Sequence, residues 1–152
     1  MSQPPVEGTY SEDVNAFYVE EVCGQSDHAY RFAFASILDR KQAFEATKAA
    51  YAGAVDHLGE LHLQSPEQIR LFLIRKIWQD IQDKHFSPTS KPESQLGQKL
   101  AKLPLLARAV FFAVDVCGCT VEEVKSALTC DDESVRHALA ESRKFLVEEW
   151  GV

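Results

Sequence analysis

Residues Leu103 to Leu146 read LPLLARAVFFAVDVCGCTVEEVKSALTCDDESVRHALAESRKFL, and this stretch decides the fold. It holds three helical patterns separated by two short breaks, Cys117-Gly118-Cys119 and Thr129-Cys130-Asp131. From Leu105 to Val116 the apolar side is Ala109, Val110, Phe112, Ala113 and Val116, and Gly118 ends the run. Thr120-Val121-Glu122-Glu123 has the form of a capping box: the Thr120 hydroxyl can accept from the Glu123 amide, and the Glu123 carboxylate from the Thr120 amide. Val121, Val124 and Leu128 form the inward side of the short helix that follows. Asp131 suits the N-cap of the last helix, whose apolar side is Val135, Ala138, Leu139 and Leu146. A support helix, a short helix, a tight turn and a second helix make up a helix-turn-helix, which presents one helix to a DNA groove.

The outward face of the last helix follows from spacing. Arg136 and Arg143 are seven residues apart and share a face, with His137, Glu141 and Lys144 alongside. Lys125, Ser134, Arg136, His137, Arg143 and Lys144 are therefore the candidate DNA contacts of this unit. Asp131, Asp132 and Glu133 occupy the first turn of the same helix. They favour the helix by offsetting its positive end. They also put negative charge where phosphate oxygens would come, which opposes docking.

Upstream, apolar residues recur at helical spacing over Val14–Val22, then over Ser26–Leu38 with Ser26 or Asp27 as N-cap. Asp39-Arg40-Lys41 is expected to turn, and a helix follows over Gln42–Leu58 with Ala43, Ala46, Ala50, Tyr51 and Ala54 inward. Gly59–Ser65 breaks the pattern. Ser65-Pro66-Glu67 starts a further helix, apolar around much of its circumference, that ends near His85. Residues 86–99 are rich in Pro, Ser and Gly. The expected organisation is a disordered start over 1–12, a helical domain over 13–86, a flexible linker over 87–99 and the helix-turn-helix domain over 100–150. No stretch alternates with period two, so the fold class is all-α: two small helical domains on a flexible linker.

The 152 residues suffice for one ordinary domain or two small ones. No apolar run approaches the roughly 18 residues a membrane span needs, and the polar N-terminus lacks a signal-peptide pattern, so a cytoplasmic protein is expected. Cys23, Cys117, Cys119 and Cys130 are read as small buried residues in a reducing compartment, since Cys117-x-Cys119 lacks zinc-ribbon spacing. His57, Glu60 and His62 are read as polar surface, and no metal or cofactor is expected. There is no phosphate loop, zincin motif or nucleophile elbow, which argues against an enzyme and a small-molecule substrate. The net charge of −7 is unusual for a DNA binder. Acids exceed bases in both halves, 13 to 8 over residues 1–86 and 9 to 6 over 100–152, so DNA contact must rest on a local patch or on a larger partner.

Over residues 14–148 the chain resembles a bacterial RNA polymerase sigma factor of the extracytoplasmic-function type. The resemblance rests on Leu103, Pro104, Arg108, Ala109, Val110, Asp115, Gly118, Glu122, Glu123 and Leu128, then on Cys130, Val135, Arg136, Leu139, Arg143 and Leu146. The segment HAYRFAFASILDRKQAFEATKAAYAGAV is similar to the family's polymerase-binding segment, with Ala43, Glu45 and Tyr51 matching and Phe44, Lys48 and Ala49 departing. FLIRKIWQDIQDK is similar to the helix that captures the melted promoter strand; Phe72, Leu73, Arg75 and Asp83 match, while Trp78 and Gln79 replace the usual Arg-Asn.

The resemblance implies a protein that binds core RNA polymerase through Gln42, Glu45, Lys48 and Tyr51. It would hold the melted strand with Arg75, Lys76 and Trp78, read promoter DNA with the last helix, and answer to an anti-sigma factor. The acidic first turn and the lost Arg-Asn pair favour a second reading, a sigma mimic that sequesters an anti-sigma factor without binding DNA. A third, an isolated helix-turn-helix regulator, leaves the N-terminal similarity without a role.

Overall fold

The computed structural model describes residues 25–57 and 65–150, and the side chain of the last of these is excluded. The expected helix over Val14–Val22, the disordered start over 1–12, Cys23, Glu60 and His62 lie outside the described residues. Within them the molecule is all-helical. The elements are α1 (Ser26–Ile37), α2 (Arg40–Asp56), α3 (Pro66–Gln82), α4 (Gln95–Leu100), α5 (Leu105–Phe111, continued by a π-helical turn at Phe112–Val116), α6 (Val121–Leu128) and α7 (Asp132–Trp150).

Capping chemistry explains most of the boundaries. Ser65 and Gln68 form a reciprocal capping box at the start of α3, and Thr120 and Glu123 form another at the start of α6. Asp131 accepts from the Ser134 amide at 2.7 Å and opens α7. Two expected starts shift. The N-cap of α1 is Gln25, with no side-chain cap, rather than Ser26 or Asp27. Asp27 instead lies in the first turn and pairs with Arg31 at 3.4 Å. The expected turn at Asp39-Arg40-Lys41 is the start of α2: Asp39 accepts from the Gln42 amide at 2.9 Å, so Arg40 and Lys41 are already helical.

The stretch 87–99, expected as a flexible connector, carries α4. The Ser94 hydroxyl caps it by accepting from the Gly97 amide at 2.9 Å, and Leu100 is buried. The preceding residues are laced onto the N-terminal helices. The Thr89 amide donates to the Ile37 carbonyl at 2.9 Å, and the Ser87 amide donates to Gln42 Oε1 at 3.1 Å. Gly97 is required there, because a Cβ would stand 2.8 Å from Pro92 Cβ and 2.9 Å from Ser94 Oγ. A Pro- and Ser-rich composition signals loop, yet one hydroxyl cap and one buried leucine hold a short helix.

In the N-terminal half, Ala43, Ala46, Ala50 and Ala54 line the inner face of α2 with no exposed area. Small residues at this spacing let α2 lie close to α1 and α3, which bury Phe32, Ile69, Leu73 and Ile77 completely. Fully burying one such side chain contributes about 1.5–3 kcal/mol. In the C-terminal half, α5 packs along α7, where the buried Ser142 hydroxyl lies 2.8 Å from the Ala107 carbonyl. The halves are joined by direct packing: α1 contacts α5 and its π-helical turn, and α3 contacts α6. Buried residues from Ala29 to Leu139 form one continuous apolar cluster. No helix among the described residues is long and apolar enough to cross a membrane.

Candidate functional site

The unit expected as a helix-turn-helix falls on α5, α6 and α7, and its geometry follows from three local features. After the π-helical turn, the Cys117 amide reaches the Phe112 carbonyl at 2.8 Å and Gly118 takes a φ of 77°. Between α6 and α7, Thr129 adopts a left-handed conformation at φ 52° and ψ 58°. The Asp131 cap then starts α7. Its carboxyl is held below the usual range, first by the Ser134 amide and then by the Ser134 side chain.

On α7 the structure brings Arg136, His137, Arg143 and Lys144 to the surface, all exposed. Their charges are largely matched from within the chain. Arg136 Nε donates to Asp132 at 2.5 Å, one turn earlier. That bond is the main cause holding the Asp132 carboxyl low and pushing the Arg136 guanidinium up. Arg143 makes a two-pronged pair with Asp115 on the π-helical turn, at 3.0 and 2.8 Å. Lys144 approaches Glu148 at 4.0 Å. Lys125, on α6, lies between Glu122 at 3.3 Å and Asp132 at 3.8 Å. Ser134 is half-buried and engaged with the Asp131 cap. The candidate reading face is thus assembled on one helix and electrically self-matched.

The three candidates on α3 fare differently. Trp78 is not available to stack on a base: it is 8% exposed, and its ring meets Phe32 edge-on at 6.5 Å. It lies on the side of α3 that α1 covers, so apolar burial decides its position. Lys76 Nζ donates to Asp80 at 3.0 Å, and Asp80 is itself 3% exposed. His85 Nδ1 lies 3.4 Å from the same carboxylate. Arg75 is half-buried and donates to the Ser126 hydroxyl on α6 at 3.1 Å. Arg75 and Lys76 therefore bind within the fold.

On α2, Glu45 and Lys48 are exposed and 3.9 Å apart, and the Lys48 ammonium lies 5.5 Å from the centre of the Phe44 ring. Phe44 is 56% exposed, a large apolar group presented to solvent on this outer face. Gln42 is occupied by the connector, and Tyr51 is half-buried.

Two features are absent from the sequence reading. The first is the role of Arg108. The residue is 5% exposed with no carboxylate partner among the described residues, and its guanidinium donates to three backbone carbonyls: Ala35 at 2.7 Å, Ser36 at 2.8 Å and Leu103 at 2.6 Å. Two of these belong to the last turn of α1, so Arg108 ties the two halves together. Burial lowers its pKa to about 10. A lone arginine inside the apolar run Leu105–Phe112 was the available signal. The second is the junction around Cys117-Gly118-Cys119. The Cys117 thiol donates to the His28 carbonyl at 3.4 Å, and the buried His28 Nδ1 and Arg70 Nε have no hydrogen-bond partner among the described residues. Burial pushes the Cys117 and Cys119 thiols up to about 12 and about 11. They are neutral thiols, and no group of three or more metal-ligating side chains forms among the described residues.

No protein-family model matches the chain, and no curated protein matches it in sequence. Among solved structures it is similar to the sigma factor RpoE of Bartonella quintana, in a co-crystal with the anti-sigma factor NepR. The TM-score is 0.63 at 14% identity, covering 93% of this chain and 99% of that one. At that identity the likeness is one of fold: the chain has a sigma-factor-like helical architecture.

Proposed function

We propose that this chain is a transcription initiation factor of the sigma type, of extracytoplasmic-function character. It binds core RNA polymerase through the outer face of α2 and brings α7 to promoter DNA. The observation that carries this reading is the exposed ridge of Arg136, His137, Arg143 and Lys144 on a three-helix unit whose last two helices are side-chain capped. That ridge stands within an architecture shared with a sigma factor over nearly the whole chain. On this reading the chain does no covalent chemistry; polymerase supplies catalysis and part of the DNA affinity.

The test is promoter-dependent run-off transcription with purified core polymerase. The chain should support it, and Arg136→Glu with Arg143→Glu should abolish it while far-UV circular dichroism stays unchanged. Transcription that persists in that variant removes α7 from the reading.

A second reading is favoured by the self-matched charges on α6 and α7 and by the net charge of −7. Here the chain is a sigma mimic that captures an anti-sigma factor, the class of partner present in the Bartonella complex. Tight binding of an anti-sigma factor, with no binding of core polymerase in the same buffer, selects it over the first.

A further inference from the structure

The cations of this molecule are unevenly matched. Lys125, Arg136, Arg143 and Lys144 on the helix-turn-helix all have acids within 4 Å, as do Arg31, Lys48, Lys76 and Lys102 elsewhere. Arg40, Lys41, Arg70, Arg75, Lys84 and Lys91 form no ion pair among the described residues, and three of them, Arg40, Lys41 and Lys91, line one cleft.

The cleft, of about 640 Å³, lies where the connector crosses the corner between α1 and α2. Phe34 and Leu38 contribute its apolar wall, and Thr89 to Ser94 form the opposite side. A second cleft of about 370 Å³ adjoins it, sharing Phe34, Arg40 and Ser94 and adding Tyr30 and Leu96. Leu96 is 49% exposed, and the Tyr30 and Phe34 rings stack at 6.4 Å, both half-buried. The wall is built rather than loose. Thr89 is bonded to the end of α1, Ser87 to α2, and Gly97 is locked against Pro92. The result is an ordered groove of mixed lining, apolar at Tyr30, Phe34 and Leu96 and mostly polar and charged along the connector, with Arg40, Lys41 and Lys91 on its rim.

We infer that this groove is a docking site for an acidic amphipathic peptide segment of a partner protein. Apolar side chains would cover Tyr30, Phe34 and Leu96, and flanking carboxylates would meet Arg40, Lys41 and Lys91. Charge complementarity selects the occupant: a rim of unmatched cations on an acidic molecule attracts a short acidic segment at close range. A long polyanion such as single-stranded nucleic acid meets the whole −7 charge, and the groove also carries Asp39 and Glu93. The inference does not depend on the chain initiating transcription.

The experiment titrates the full chain with a fluorescein-labelled peptide of about 16 residues, with leucines at helical spacing and glutamates on the flanks. The controls are its lysine counterpart and a single-stranded dT oligonucleotide of the same length, all read by anisotropy. Acidic-peptide binding that strengthens as salt is lowered supports the site. So does a loss of at least tenfold in Arg40→Glu with Lys91→Glu, and of several-fold in Leu96→Ser. Arg40, Lys91 and Leu96 are exposed, and a glutamate in the first turn of α2 favours that helix, so unfolding does not mimic the loss. Equal binding of the acidic and basic peptides, or no effect of the charge reversal, overturns the inference. Oligonucleotide binding as tight as the acidic peptide's, lost in the same variant, also overturns it and makes the groove a polyanion site.

Discussion

Replacing Arg108 with methionine is the most informative perturbation of this fold. Methionine keeps much of the stem's volume and removes the guanidinium. The carbonyls of Ala35, Ser36 and Leu103 then lose their donors inside the protein. Three bonds from a charged donor at about 2 kcal/mol each amount to about 6 kcal/mol. Against this stands the charge's own burial cost. The fall in pKa from 12.5 to about 10 corresponds to about 3 kcal/mol, which the substitution relieves. The net expected loss is about 3 kcal/mol. With a urea m-value of about 2 kcal/mol/M, the midpoint of unfolding should fall by about 1.5 M. Arg108 bridges the halves, so the loss has a place as well as a size. Hydrogen exchange should accelerate at the end of α1 and the start of α5, and Cys117 and Cys119, now 1% and 5% exposed, should alkylate faster under native conditions. Arg108→Lys should recover only part of the loss, since an ammonium on a shorter stem cannot span all three carbonyls. A midpoint shift below about 0.5 M, or unchanged alkylation at both thiols, refutes the clasp.

Three further outcomes are expected. Because burial raises the Cys117 and Cys119 thiols to about 12 and about 11, the unfolded chain ionises them first, near 9.0. Their stabilisation is whole below pH 9 and is lost as pH rises towards 12, about 1 kcal/mol each by pH 10; urea midpoints at pH 8 and pH 10 should converge in Cys117→Ala with Cys119→Ala. Thr129→Gly should stabilise the protein by about 0.5–1 kcal/mol in thermal unfolding, because a β-branched residue is strained at φ 52°; a lower melting temperature counts against the strain. On the initiation-factor reading, Asp115→Asn with Asp132→Ser should tighten promoter DNA binding at least several-fold and steepen its salt dependence by about one phosphate per freed arginine; a salt slope equal to the parent's counts against obstruction by these acids.

The sequence was legible where a local rule acts alone. Ser65, Thr120 and Asp131 announce helix starts because a cap is a bond between residues three apart. The alanines of α2 and the apolar sides of α3, α5 and α7 are periodic and can be counted. Legibility ended where a side chain's fate depends on residues far along the chain. Trp78 looks like a base-stacking group until α1 is packed over it, with Phe32 against its ring. Arg75 looks free until Ser126, 51 residues later, accepts from it. Arg108 stands out as a lone charge in an apolar run, but its partners at 72 and 73 residues' separation cannot be read from spacing. The groove at Arg40, Lys41 and Lys91 escaped for a related reason: its far wall is the connector, whose composition gives no sign that it is held in place.

The matched charges on α7 bear on the two functional readings in a way their number alone does not. Exposed ion pairs are screened by water and add little to stability, so exchanging Asp132 or Asp115 for a phosphate costs Arg136 or Arg143 little. What persists after the exchange is the carboxylate, now unpaired and within a few ångströms of the phosphate that displaced it. On the initiation-factor reading, promoter contact by α7 is therefore weakened rather than forbidden, and it gains most when a large partner already holds the DNA nearby. The obstacle on α3 is of another kind. Arg75 and Lys76 are engaged inside the fold, and α6 covers the flank from which Arg75 projects. Strand capture by α3 would have to exchange these contacts, the Ser126 hydroxyl at Arg75 and the Asp80 carboxylate at Lys76, for the strand's own groups. On the initiation-factor reading the two activities thus carry different demands in this chain: α7 must trade exposed ion pairs for phosphates, and α3 must give up a bond that ties it to α6.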